Sequence, residues 1–225
     1  MSFQDLYHAP LQQLVLPAGV PALFLIWWIA TQRGRRESSP ARRFVRLYCP
    51  LLGVEAILDP LATGALPRAL GLGAAWGSTL AFAFVLLGDF RVLWLVLALL
   101  DPEPAPRRAA WRAALLTLAV PAADGVALAL GAGGQGLWLV HEVAFLALAL
   151  GLRQRLVPRR APAELRAPLR AAAGYAALYY ALWALADALI LGAGLDLGWG
   201  LRILPNQLYY ALWIPFVYAA FLSRR

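Results

Sequence analysis

Six carboxylates lie within stretches of this chain that are otherwise almost wholly apolar: Glu55, Asp59, Asp89, Asp124, Glu142 and Asp187. A charge at the centre of a bilayer costs about 2.5–3.5 kcal/mol even on insertion scales, so such a group faces a protein interior or a wet cavity. Gathered together, acids of this kind can bind a cation, carry protons or serve as an acid–base pair. Glu55 and Asp59 are four residues apart and share a helix face. His141 and Glu142 are neighbours, and adjacent helical residues point about 100° apart. Arg91 is the one arginine well inside an apolar stretch. It can pair with Asp89 or with an acid on another helix.

Aromatic and neutral polar residues accompany the acids at helical spacing. Tyr180, Trp183 and Asp187 follow i, i+3, i+7, and Asn206, Tyr210 and Trp213 do much the same. Aromatic walls with a few convergent polar groups suit a small-molecule pocket. The same rings also suit interfacial anchoring, above all Tyr209, Tyr210, Trp138, Trp27, Trp28 and Trp94 near the ends of their stretches.

Several chemistries are excluded. A single cysteine, Cys49, allows no intrachain disulfide, and two histidines allow no three-histidine zinc site. A carboxylate-rich site for a hard divalent cation stays open. There is no HExxH, no GxSxG and no GxGxxG in a Rossmann setting, and GAGGQG reads as a loop. No lysine is present, so a retinal Schiff base cannot form. Cofactor and metal content are otherwise undetermined by the sequence.

The elements that must position these groups are long and apolar. The 225 residues are 62% hydrophobic and only 14% charged. Seven stretches reach or approach the roughly 20 residues that cross a bilayer: 12–31, 47–66, 75–100, 110–131, 137–152, 172–194 and 206–222. The fifth is the shortest. Prolines within them are tolerated in a bundle whose neighbours satisfy the freed carbonyls. The first lacks a preceding basic region and reads as a retained span.

All 20 basic residues are arginine, and they alternate between connections. Seventeen fall in the loops after the first, third and fifth stretches and in the tail; Arg68 and Arg202 fall on the other side. Loops rich in arginine stay cytoplasmic. The expectation is therefore a single all-α domain over residues 1–225: a polytopic seven-helix membrane bundle with its N-terminus outside and C-terminus inside. This pattern also argues against nucleic-acid binding, where arginines would spread over polar surface elements. Contact with membrane lipids is expected, and an oligomer or membrane partner is compatible with the small-residue faces.

At 1.5 Å rise per residue, Asp59, Asp124 and Asp187 each lie about 10 Å from the outer end of their stretch. The predicted site therefore brings Asp59, Asp124, Glu142 and Asp187 to one outward-facing cavity, with Asn206 or Tyr210 adding a neutral hydrogen bond. Asp89 and Glu55 are expected deeper, with Arg91 as the compensating charge. A faint hairpin repeat pairs Asp59 with Ser78, Asp124 with Glu142, and Asp187 with Asn206 at 18 or 19 residues. Three functions fit these features: a proton- or cation-coupled transporter of small solutes, an integral membrane enzyme acting on a lipid or isoprenoid, and a non-catalytic accessory or sensory subunit.

Overall fold

The computed structural model describes residues 2–32, 37, 39–65, 70–71, 74–101 and 103–223, with backbone alone for 64–65 and 74–78. Ser78 and Arg68 therefore lie outside the described side chains. Every regular element among the described residues is helical. A short helix α1 (Phe3–Tyr7) leads into α2 (11–32). There follow α3 (40–65), α4 (Ala74–Ala98), α5 (Pro106–Ala129), α6 (Gln135–Arg160), α7 (Ala163–Ala193) and α8 (197–221).

Prolines account for three wide turns and one break. A proline lacks the N–H of the helical ladder, and its ring collides with the carbonyl four residues back. Wide π-turns at Leu11–Val15, Leu152–Leu156 and Gln207–Leu212 each contain the carbonyl that Pro17, Pro158 or Pro215 would strike. The extra residue in the turn moves that carbonyl aside. In α5 the same conflict, between Pro121 and residue 117, falls where Pro106–Thr117 breaks from Ala119–Ala129 at Leu118.

The helices are apolar outside and polar inside. On α3, Leu47, Leu51, Val54 and Leu58 form an exposed stripe, with Leu47 73% accessible. Tyr48, Leu52, Glu55 and Asp59, at the same spacing, form the buried one. Water-soluble helices are ordinarily patterned the other way, with their charged face outward. Leu23, Ile26, Leu115, Val126, Leu178 and Leu185 are likewise exposed. One hydrophobic cluster, including Trp28, Val45, Leu95, Ala113, Phe145, Tyr179 and Trp213, draws on all seven long helices.

This is an all-α protein with several long apolar helices, consistent with a membrane-spanning bundle. Among the described residues five helices, rather than the expected seven, are long and apolar enough to cross a membrane: Phe3–Gln32 (α1 with α2), Thr79–Ala98, Pro106–Ala129, Gln135–Arg160 and Ala163–Ala193. The two that fall short, α3 and α8, carry Glu55 and Asp59 or Asn206 and Gln207 in their middles, which lowers their average apolarity. The stretch expected to be shortest, 137–152, is part of a helix that runs on to Arg160. The arginine-rich segment after it is mostly helix, broken only at Ala161 and Pro162.

Candidate functional site

The buried polar residues fall into three groups. The first centres on His141 of α6. Its Nδ1 is 2.7 Å from Asp124 Oδ2 on α5, and its Nε2 is 3.1 Å from Asp89 Oδ2 on α4. Tyr180 of α7 donates its hydroxyl to the other oxygen of Asp89. Four helices are thus joined in one chain of bonds through the imidazole and Asp89, and all four residues are buried. A carboxylate only accepts, while an imidazole nitrogen donates only if it carries hydrogen. Each of the two bridges must therefore hold one proton. Either the ring is imidazolium between two carboxylates, or a neutral ring donates on one side and accepts from a carboxylic acid on the other. Both arrangements leave the trio with one net negative charge.

The second group is organised by Arg202 of α8. Its guanidinium Nη1 donates to Asp187 of α7 and lies 3.6 Å from Glu142 Oε1 on α6. Gln135 Nε2 donates to the second oxygen of Asp187 at 2.8 Å. The side chain of Arg202 is largely buried, although its position reads from sequence as a loop arginine. The helix that begins at Leu197 carries it into the bundle.

The third group joins α3, α4 and α8. Arg91 Nη1 is 3.0 Å from Glu55 Oε2, and its Nη2 donates to the Tyr209 carbonyl at 2.5 Å. The guanidinium carbon lies 4.2 Å from the Tyr209 ring centroid. Tyr175 donates to the Leu208 carbonyl at 3.0 Å. Two carbonyls of the wide turn Gln207–Leu212 are thus satisfied by side chains, as buried backbone requires. Tyr48 donates to the Arg91 carbonyl and accepts from Trp213 Nε1, each at 3.0 Å. Gly88 makes room for this: a Cβ there would occupy the space of the Tyr209 hydroxyl. Arg91 is therefore the partner of Glu55, across helices, while Asp89 turns to His141.

A cavity of about 320 Å³ lies among these groups. It is lined by the C-terminal part of α3 (Asp59, Thr63), the N-terminal part of α4 (Ala81, Val85) and the start of α6 (Gln135, Trp138, His141, Glu142). Tyr180 and Trp183 of α7 and Trp199, Arg202, Asn206, Tyr209 and Tyr210 of α8 complete it, with Tyr7, His8 and Gln12 from the N-terminal segment. Trp183 Nε1 donates to Asn206 Oδ1 at 2.8 Å, which fixes the amide.

Of the predicted site residues, Asp59, His141, Glu142, Tyr180, Trp183, Asn206 and Tyr210 line this one cavity. Asp124 and Asp187 stand one contact behind it, held by His141 and Arg202 respectively. Asp89 also stands behind His141, and Glu55 with Arg91 forms a separate pair. Sequence reasoning missed Arg202, Gln135 and the N-terminal residues Tyr7, His8 and Gln12. The polar character of QDLYHAPLQQ, unusual beside an apolar stretch, was the available signal for the last three.

Among the described residues no three Asp, Glu, His or Cys side chains are grouped to hold a metal ion. The acids beside His141 bind different ring nitrogens and so lie on different sides of the ring. The chain matches no family model, no curated protein and no solved structure.

Proposed function

We propose that this chain is a multi-pass protein of the cell membrane, the cytoplasmic membrane in a bacterium, that acts as a proton- or cation-coupled transporter of a small solute. In this reading all seven long helices cross the bilayer. The N-terminus is outside, the arginine-rich ends are cytoplasmic, and the cavity opens outward.

One observation carries the reading: the cavity and its immediate support hold more acid than base. The Asp89–His141–Asp124 trio contributes one negative charge, Arg202 with Asp187 and Glu142 a second, and Asp59 a third when ionised. Such an excess is costly in a low-dielectric interior unless protons or a cation balance it. A site that must hold one or the other is suited to exchanging them. The trio spreads its protons over α4, α5 and α6, so a change of occupancy acts on several helices together.

A histidine-activated hydroxyl nucleophile would need a free imidazole nitrogen and a free hydroxyl. Both His141 nitrogens are engaged by carboxylates, and the hydroxyl of Thr63 in the cavity wall is bonded to Asp59. An accessory subunit would need only dry packing, which leaves the cavity without a purpose.

The test is charge movement on solid-supported membranes carrying proteoliposomes. Cationic, neutral and anionic small solutes are applied with and without a pH gradient. At least one class is expected to give a current that depends on the gradient and disappears in Asp59→Asn. Saturable binding with no current from any class would overturn transport and favour a sensory role.

A further inference from the structure

Resting on the transport reading, we infer that the cavity's solute is an organic cation: an ammonium group carrying an apolar body. Its charged end would be held by Asp59 and Glu142. Among the buried carboxylate oxygens that have no hydrogen-bond partner, Asp59 Oδ2 and Glu142 Oε2 belong to residues lining the cavity. Asp59 is 1% exposed and Glu142 4%. A buried acceptor left unpaired costs free energy, so two of them at one cavity mark where a positive or hydrogen-donating group belongs.

The rest of the wall decides which kind of cation. Tyr7, Trp138, Trp183, Trp199, Tyr209 and Tyr210 present aromatic surface. Aromatic faces attract alkylammonium groups through the ring quadrupole, and cages of such rings recognise quaternary ammonium. A bare metal cation instead seeks about six or more oxygens, and no three acidic or histidine groups are clustered to supply them among the described residues. An anion would meet the unpaired carboxylates. Arg202 does not reverse this, because Asp187 and Glu142 already hold it. The volume of about 320 Å³ fits a small ligand, at the low end of the roughly 300–1,000 Å³ range of ligand pockets.

The experiment uses the full chain purified in detergent, with tryptophan fluorescence and calorimetry as readouts. The probes are choline and benzyltrimethylammonium, whose charges do not depend on pH, and 3,3-dimethylbutan-1-ol, the neutral carbon isostere of choline. The cations are expected to bind, and the isostere to bind more weakly than choline by roughly tenfold or more. Asp59→Asn and Glu142→Gln should each weaken cation binding by a similar factor while leaving the weak binding of the isostere unchanged. That unchanged binding shows the variants are folded. Equal affinity for choline and its isostere, no binding of either cation, or variants that bind the cations normally would overturn the proposal. A gradient-dependent current from a neutral or anionic solute would sustain transport while removing the organic cation. Cation binding without current would do the reverse.

Discussion

Glu55 and Asp59 share a face of α3, one turn apart, yet their surroundings assign them different tasks. Glu55 meets Arg91, which also donates to the Tyr209 carbonyl and lies over the Tyr209 ring. Asp59 lines the cavity, and among the described residues it has only the Thr63 hydroxyl on one oxygen and no partner on the other. Removing one member of a buried ion pair leaves an uncompensated charge and costs about 3–5 kcal/mol, whereas replacing both can be neutral. Glu55→Leu is therefore expected to destabilise the fold by about that amount, and Glu55→Leu with Arg91→Met should recover most of the loss. Reversible unfolding in mixed detergent measures this. Asp59→Asn should leave the same unfolding curve nearly unmoved and affect ligand instead. If Asp59→Asn were the destabilising change and Glu55→Leu the silent one, the division between structural pair and ligand site would be wrong. The residue types of the acids and their burial were legible in the sequence. Their pairing was not, because whether Arg91 reaches Asp89 or Glu55 depends on how α3 and α4 are rotated, and almost uniform apolarity along α4 gives no rotational signal.

Helices impose the next level of constraint, and here the N-terminal segment behaves as part of the site. Asp196, just before α8, accepts from the backbone N–H groups of Phe3 and Gln4 at 2.6 and 3.1 Å. These are donors at the start of a helix that lack intrahelical partners, so the carboxylate caps α1 from the far end of the chain. Phe3 lies against Gly200, where a side chain would press on the ring. Tyr7 and His8 pack on Trp199, and Gln207 donates to Gln12 at 3.1 Å. Capping contacts contribute about 0.5–2 kcal/mol. Asp196→Ala is expected to loosen residues 3–13 without unfolding the bundle, raising hydrogen exchange there and acrylamide quenching of Trp199. Unchanged exchange over 3–13 would show that the cap does not hold the segment. Apolar patterning marked where α2 through α8 lie, but not which prolines make irregular turns, since Pro21, Pro50 and Pro168 sit inside unbroken helix. It could not show α1 folding back on α8, since that contact rests on two backbone N–H groups and one carboxylate some 190 residues away.

At the scale of the whole molecule, arginine is segregated from the cavity. The cavity draws on the C-terminal parts of α3 and α7 and the N-terminal parts of α4, α6 and α8, all at one end of the bundle. Among the described residues, Arg42, Arg43 and Arg46 lie at the start of α3, Arg107, Arg108 and Arg112 at the start of α5, Arg153, Arg155, Arg159 and Arg160 at the end of α6, and Arg166 and Arg170 at the start of α7, the ends opposite the cavity. Arg202, counted from sequence as one of the two exceptions, is spent inside the site on Asp187 and Glu142. Arg68 alone then stands against the other seventeen as a loop charge, and the asymmetry that retains basic loops in the cytoplasm is sharper than composition suggested. Because the basic loops and the cavity occupy opposite ends, fixing the side of one fixes the side of the other. Cysteines introduced singly at Ser38 and Gly134, in a chain with Cys49 replaced by alanine, report the two ends. A membrane-impermeant maleimide applied to intact spheroplasts should label Gly134→Cys, and it should label Ser38→Cys only after lysis. Labelling of both from outside would break the alternation of the helices. Labelling of Ser38→Cys alone would invert the molecule, and the cavity would then draw its solute from the cytoplasm.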